Sequence, residues 1–445
     1  MKTLGLTFFP TQFSGEAAQY ELGMHRLPQM IGDAWRPEWI QLPGTDAAVN
    51  ARRIADTRPD FVLLHAHRLQ VPDALALANA LGELCPEVPL LQCGWTAHPP
   101  YVDAVIAATG PLESPVFGLA CGEVEAVLPA VLERVASGAA FLELEGLPGL
   151  ALRDAREQGW RGSARYEYIH DLDALPDVSL EHIPKAWKES KAGWLELARG
   201  CRFRCSFCYG SAFEHPELRR FGPERISAGV LRAAEQGVSV LGLLSSSNSF
   251  DVELLRSLVG AFRSQGIRNM AVAGPVHARY VRGEVLDLLG ALDWRLMTIG
   301  LQTTNHDAQR LIRRGDDPEA LAETVERIKA FITPEIEIVL GLPGDSPEGF
   351  KSTVRFLLSL PVNITVHTLR LDPWSSFLME REKLGISADF VKGARVLGHP
   401  SFSAEQMEEC RTFLRELGAG PWSYRAGQLA LDGEHLNAKQ KRRAN

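Results

Sequence analysis

The 445 residues predict an α/β protein: a doubly wound parallel sheet over 1–140, a linker over 141–190, a partial (β/α)6 barrel over 191–375 and a short, mainly helical region over 376–445. Three observations predict it. Through the first 140 positions, short apolar runs alternate with helical stretches, the pattern of a parallel sheet joined by crossover helices. The stretch 141–190 breaks the pattern with Gly146, Pro148, Gly149, Gly159, Gly162, Pro176 and Pro184 and no sustained period, so it reads as a linker carrying a small hairpin. From Trp194 the alternation returns, six times in one direction.

In the first unit, Thr3–Phe9, Trp39–Leu42, Asp60–Leu64 and Pro89–Gln92 read as strands, and Val102–Ala107 as the next one. Ala47–Thr57 and Glu123–Ala136 read as helices, as does Asp73–Cys85, where Leu75, Ala78, Leu81 and Leu84 fall near helical spacing ahead of Pro86. Ligands of such sheets sit at the carboxyl ends of the strands. In the second unit the strands are Trp194–Ala198, Val238–Leu244, Asn269–Ala273, Leu296–Leu301, Glu335–Leu340 and Asn363–Leu371. Helices fit between them at Pro223–Gln236, Val252–Gln265, Pro318–Phe331 and Ser346–Ser359. Barrels of this kind carry their chemistry where the strands end.

Hydrophobic residues at 45% and charged residues at 23% give the balance of a soluble globular protein. No apolar run approaches the ~20 residues of a membrane span, and MKTLGLTFFPTQ, broken by Pro10, reads as a buried first strand rather than a leader. A net charge of −8 argues against coating nucleic acid by bulk attraction, so neither nucleic acid nor membrane is an expected partner. The cluster Lys439, Lys441, Arg442 and Arg443 reads as a solvated tail. Seven cysteines, four of them scattered at Cys85, Cys93, Cys121 and Cys410, do not form a disulfide framework; a reducing cytoplasm fits them.

The other three stand within eight residues, in ELARGCRFRCSFCYG, directly after the first strand of the barrel. Cys201, Cys205 and Cys208 can converge on metal from one loop. A zinc site wants a fourth ligand, and no His or Cys lies close by in sequence. Three thiolates can instead hold three irons of a four-iron cluster, leaving one iron open to a cofactor.

The spacing Cys201-Arg-Phe-Arg-Cys205-Ser-Phe207-Cys208 resembles the radical S-adenosylmethionine (SAM) superfamily, whose motif is CxxxCxΦC with Φ aromatic. The resemblance continues through Gly300-Leu-Gln302-Thr303, Leu311-Ile-Arg313-Arg314-Gly315, Gly341-Leu-Pro343-Gly344-Asp345 and Leu371-Asp372-Pro373. It implies a [4Fe-4S] cluster on the three cysteines and SAM on the open iron. Phe207, Gln302, Gly341, Pro343 and Gly344 are the implied SAM contacts. Where many members carry glycine-glycine-glutamate after the second strand, this chain has Leu244-Ser245-Ser246-Ser247-Asn248, so Ser246 and Asn248 are candidates for that place.

A doubly wound sheet ahead of such a barrel resembles the cobalamin-binding-domain subfamily. The matching residues are Gln92-Cys93-Gly94-Trp95-Thr96-Ala97-His98, Val102-Asp103-Ala104-Val105 and Gly122-Glu123-Val124-Glu125; Gly146–Leu150 and Leu172–Pro176 look like its connector. Glycines at strand ends let a flat macrocycle approach the backbone. Gly94, His98, Gly122 and Glu123 are the candidate cobalamin contacts. Cys93 and Trp95 depart from the pattern, and a sheet that keeps the fold without cobalamin is the other reading. His65 and His67 also stand at a strand end, where hydrogen-bonded histidines and contacts to the cobalamin tail are both open. The resemblance implies a cobalamin-dependent methyltransferase that acts on an unactivated carbon of a small-molecule or peptide substrate. A reductant such as flavodoxin or ferredoxin would serve the cluster. The alternatives are another radical reaction (rearrangement, ring contraction or dehydrogenation), non-radical cobalamin and SAM methyl transfer, and a non-catalytic Fe–S protein.

Overall fold

The computed structural model of the chain describes residues 1–9, 22–153, 159–178, 191–212 and 218–417, with two short strands at 420–421 and 433–436. The first sheet holds β1 (Lys2–Phe8), β2 (Trp35–Gln41), β3 (Phe61–His65), β4 (Leu90–Cys93), β5 (Phe117–Ala120), β6 (Leu150–Arg153) and β7 (Arg161–Gly162). Its order is β2-β1-β3-β4-β5-β6-β7. The first five strands are parallel, and β6 and β7 form an antiparallel hairpin on β5. The hairpin expected in the linker therefore extends the first sheet. Helices α1 (Ala47–Asp56), α2 (Val71–Leu84), α3 (Pro99–Thr109) and α4 (Val124–Ala136) cover the sheet.

The strand expected at Val102–Ala107 is a helix. Pro99 and Pro100 occupy the first helical positions, where a missing N–H costs nothing. Tyr101, Val102 and Val105 bury one face, and Gly110, at φ 117°, ends the helix. A short apolar run does not by itself separate buried helix from buried strand. The strand that takes its place in the sheet is β5.

The second sheet places β8 (Ala192–Glu196) beside β11 (Val240–Leu244), then β12 (Ala271–Pro275), β13 (Trp294–Gln302), β14 (Glu335–Leu340) and β15 (Asn363–Thr368), all parallel. This is the open six-stranded barrel. A minor ribbon, β9 (Ala198–Arg199) with β10 (Arg219–Arg220), extends past the end of β8. The outer layer is α5 (Pro223–Glu235), α6 (Val252–Ser264), α7 (Glu284–Gly290), α8 (His306–Leu311), α9 (Pro318–Ile328) and α10 (Pro347–Leu358).

After the barrel come α11 (Ser376–Met379), the hairpin β16 (Ser387–Asp389) and β17 (Arg395–Gly398), and α12 (Ala404–Glu416). The region expected to be mainly helical thus also carries a hairpin, and Gly433–Leu436 pairs antiparallel with β15. The basic tail lies outside the described residues. One apolar core is continuous across the two units: Leu64, Val71 and Tyr101 pack in the same cluster as Ala308, Ile312, Val339, Leu369 and Phe377. None of the described helices is long and apolar enough to cross a membrane.

Candidate active site

The cysteine loop begins where β8 and β11 end, with the Leu197 amide donating to the Leu244 carbonyl at 2.9 Å. Its middle is stapled through Ser206. The amide donates to Ile312 O at 3.1 Å, and the carbonyl accepts from the Phe377 amide at 2.9 Å. The hydroxyl donates to Leu311 O at 2.8 Å. The thiols receive donors: the Phe203 amide reaches Cys201 Sγ at 3.5 Å and the Gly210 amide reaches Cys208 Sγ at 3.3 Å. Arg314 Nη1 stands 3.9 Å from Cys205 Sγ. Burial pushes the Cys205 thiol up, against the pull of Arg314. Burial and the neighbouring thiols push Cys208 well up. Bound metal reverses that balance by deprotonating its ligands, and amide and guanidinium donors aimed at sulfur favour the thiolate. The donor set therefore fits a thiolate-held cluster. Among the described residues, no three of His, Cys, Asp and Glu close on a point that would hold a single ion.

All three cysteines line one cavity of about 500 Å³ inside the barrel mouth. Phe207, Ser246 and Gln302 line it too. Ser246 Oγ donates to the Gly200 carbonyl at 2.6 Å and so fixes the start of the loop. Gln302 takes φ 70°, an uncommon left-handed conformation for a residue other than glycine. Asn248 is fully buried, away from the lining; its Nδ2 donates to Pro275 O at 3.0 Å, and its Oδ1 has no partner among the described residues. Gly341, Pro343 and Gly344 also lie off this lining. A Cβ on Gly341 would press on Met407 of α12, and His399 Nε2 donates to its carbonyl at 3.0 Å. A Cβ on Gly344 would press on Leu311 and Ala308. Both glycines take left-handed backbone, φ 86° and 82°, which residues with side chains rarely adopt.

The first unit's candidates, Gly94, His98, Gly122 and Glu123, also lie off this lining. Gly94 follows β4, and a Cβ there would stand 3.0 Å from the His65 ring. Burial lowers His65 to about 4. The His67 ring meets Trp95 edge-on at 5.8 Å. His98 lies 4.2 Å from the Trp374 ring, and its Nδ1 accepts from the Trp374 amide at 3.4 Å. Burial lowers it to about 3, so this imidazole is neutral. Gly122 and Glu123 contact the connector and the barrel. A Cβ on Gly122 would collide with the Glu167 backbone. The Glu123 carboxylate accepts from Arg199 at 2.8 Å, from Arg219 at 2.7 Å and from the Ile169 amide at 2.9 Å.

Sequence reading missed four groups of residues. Arg26, Glu125, Glu196 and Arg199 complete a buried knot of charge with Glu123 and Arg219; partners so far apart in the chain leave no periodic signal. Arg68, on the cavity wall, pairs with Asp372 at 3.0 Å. His277, also on the wall, stacks on Phe203 at 4.5 Å. Glu335, Glu337 and His367 line the cavity from β14 and β15. That last signal was present: charges at every second position of a strand that should be covered on both faces.

Residues 195–357 match the Radical SAM superfamily. A tRNA-2-methylthio-N(6)-dimethylallyladenosine synthase of Clavibacter michiganensis subsp. michiganensis is 25% identical over 209 residues, 44% of this chain and 38% of that protein. The ribosomal protein uS12 methylthiotransferase RimO of Xanthomonas euvesicatoria pv. vesicatoria is 27% identical over 212 residues, 42% of this chain and 44% of that protein. The chain thus spans less than half the length of these curated relatives. Two structures of the radical SAM methyltransferase TsrM from Kitasatospora setae share the fold along nearly the whole chain. The one with tryptophan substrate and aza-SAM bound has a TM-score of 0.68 at 17% identity, covering 98% of this chain and 86% of that one. The one with cobalamin and a [4Fe-4S] cluster bound has a TM-score of 0.65 at 16% identity, covering 98% and 84%.

Proposed function

We propose, from the premise that residues 195–357 are a radical SAM domain, that this enzyme is a cobalamin-dependent methyltransferase acting on a carbon of a small-molecule or peptide substrate. The observation that carries the reading is the placement of Cys201, Cys205 and Cys208 together on the wall of the barrel cavity, which Arg68 of the first unit also lines. Bound there, a [4Fe-4S] cluster and SAM supply reductive cleavage of SAM, and cobalamin supplies a methyl carrier.

The chain's own residues do the holding and the shielding. Cys201, Cys205 and Cys208 are the ligands, and the Phe203 and Gly210 amides stabilise the charge on sulfur. Gln302 and Phe207 present a polar and an aromatic contact to SAM across the cavity. Gly94 and His98 stand where the first unit meets the barrel and are the contacts proposed for cobalamin. Trp95, packed 5.0 Å from the Tyr209 ring, links that segment to the cysteine loop. Substrate seated between the loop and the barrel floor is held close to the cofactors and away from water. Electrons come from a small reductant such as flavodoxin or ferredoxin, and a reducing cytoplasm suits the cysteine site.

The test is to purify the full chain without oxygen from cells supplied with cobalamin, then quantify iron, sulfide and cobalamin in one sample. About four irons and about one cobalamin per chain, with SAM cleaved on reduction, is the expected result. Four irons without cobalamin would remove the methyl carrier and favour a different radical reaction. Absence of iron would overturn the reading.

A further inference from the structure

We propose that the outer face of the cysteine loop, with Arg202, Arg204, Arg279 and Arg313, is the docking surface for an acidic one-electron carrier protein. The inference rests on the reading of the loop as a cluster site and adds where the electron enters and what kind of surface brings it.

The chain as a whole is acidic, with 47 Lys and Arg against 55 Asp and Glu. Around the loop the balance reverses. Segments 200–212, 277–282 and 310–315 hold seven arginines and no carboxylate. The fold gathers these segments. The Ser206 amide donates to the Ile312 carbonyl at 3.1 Å, and Arg279 Nη2 donates to the Gly315 carbonyl at 2.7 Å. The Phe203 ring stacks on His277 at 4.5 Å, and the Arg279 and Arg314 guanidinium groups each lie 5.9 Å from its centre. Arg310 pairs with Asp307, and Arg314 with Asp316. The other five, Arg282 with the four named above, are exposed, and none has a carboxylate partner among the described residues. Asp317 shares a cleft with Arg279 and Arg282 but is turned to the Glu319 amide as the cap of α9.

The loop has two sides. Cys201, Phe203 and Cys205 line the cavity, while Arg202 and Arg204, at the positions between them, are off that lining and exposed. SAM and substrate take the cavity side, so an electron reaches the cluster from the arginine side, across the loop backbone. Leu311 and Met379, on the two elements that staple Ser206, are 45% and 58% exposed and add apolar contact beside the charge. Arginine and methionine are enriched in protein interfaces, and brief electron-transfer encounters need only a small one. A positive field on an acidic protein steers a partner of opposite sign to this one face. Single-stranded nucleic acid wants open aromatic faces for its bases. The rings these segments offer, Phe203 and Tyr280, are packed on His277 and Phe250. In the transfer itself the carrier loses one electron and the cluster gains it, and no bond forms or breaks.

The experiment uses the full chain with its cluster reconstituted, titrated calorimetrically without SAM against an acidic flavodoxin. Binding is expected to weaken about tenfold between about 0.01 M and about 0.1 M salt, as the screening length falls from ~30 Å to ~10 Å. Reversing Arg202→Glu, Arg204→Glu and Arg313→Glu together is expected to weaken binding about tenfold at the lower salt, to flatten the salt dependence and to slow cluster reduction by reduced flavodoxin to match. Cluster reduction by dithionite should be unchanged. Arg52→Glu, Arg53→Glu and Arg268→Glu, the same change in net charge at exposed positions away from the loop, should weaken binding less than twofold. Circular dichroism and cluster absorbance check that the loop variant folds; if it does not, the three Arg→Gln changes carry the comparison, with about a threefold loss expected.

No detectable flavodoxin binding at the lower salt, unchanged affinity in the folded loop variant, or an equal loss in the control variant would overturn the inference. So would a loop variant that loses a labelled RNA 20-mer while keeping flavodoxin, which would give the surface to nucleic acid. If the loop variant loses flavodoxin as expected but dithionite-reduced wild type does not cleave SAM, only the proposed function falls. If dithionite supports cleavage and the arginines do not affect flavodoxin, only this inference does.

Discussion

The chain enters the cysteine loop at Arg199 and leaves it at Tyr209, and the first unit grips these two ends in different ways. At the upstream end, Arg199 bonds Glu196 at 2.7 Å and Glu123 and Glu125 at 2.8 Å. Arg26 adds contacts to Glu196 at 2.9 Å and Glu125 at 3.4 Å, and Arg219 adds one to Glu123 at 2.7 Å. Three cations and three anions balance with little access to water. At the downstream end, among the described residues, the grip is the ion pair of Arg68 with Asp372, set in aromatic packing. Tyr209 packs on Trp95, Arg68 lies 5.5 Å over the Trp95 ring, and Trp374 Nε1 donates to the Trp95 carbonyl at 3.0 Å. A buried charge knot needs every partner, because removing one strands the others. An aromatic seam loses its contacts gradually. The difference teaches that the start of the loop is held in one register, while its end, on the cavity wall, can adjust to what the cavity holds.

The largest effect tests the loop between these ends. Cys201→Ala, Cys205→Ala and Cys208→Ala are each expected to abolish cluster absorbance and reductive SAM cleavage, whereas Cys85→Ala and Cys410→Ala should retain both. Retention of full cleavage in any of the first three would undo the site. Next comes the knot. Arg199→Met leaves Glu123, Glu125 and Glu196 buried without their main partner and should cost about 3–5 kcal/mol in chemical denaturation. A loss under 1 kcal/mol would mean the upstream end is no more stringent than the seam, and the contrast would fail.

Acid titrates the same knot without mutation. Burial raises the Glu196 carboxyl, but Arg199 and Arg26 overcome it and hold the group down to about 2, from an ordinary 4.5. Glu125 is held low by the same balance. A carboxylate lower in the folded state adds stability that is full above its unfolded value and is lost as pH falls toward the folded one. Stability should therefore drop between about pH 4.5 and about pH 2, and Arg199→Met should flatten that slope. An unchanged slope in the variant would show that other carboxylates carry it.

Much of this architecture was legible in the sequence, for reasons that also explain where reading stopped. β14 was readable to its bounds, Glu335–Leu340, because a β-branched run is flanked by turn residues at both ends. The cysteine loop was readable because its ligands are local in sequence. Val102–Ala107 misled because its apolar run is too short to show a period, and the prolines ahead of it were the better signal. Glu123 was singled out because Gly122–Glu125, opening a helix, resembles the cobalamin-binding subfamily, but its partners Arg199 and Arg219 come from the other unit, and long-range charge pairing has no local pattern. The Gly341–Asp345 turn was recognised as special, and its two glycines take left-handed backbone, φ 86° and 82°.

The smallest effect is also the sharpest test of the contrast. Tyr209→Leu keeps an apolar side chain on the cavity wall and removes the ring that packs on Trp95. An aromatic pair contributes about 0.5–1.5 kcal/mol beyond its buried area, so the expected loss is about 1 kcal/mol, with cluster absorbance retained. Tyr209→Phe keeps the ring and separates the share of the hydroxyl from that of the ring in the same denaturation experiment. If Tyr209→Leu instead emptied the site of iron, the seam would be as strict as the knot. The loop would then be held in one register at both ends, and any adjustment to ligand would have to come from the barrel wall rather than from the cysteines.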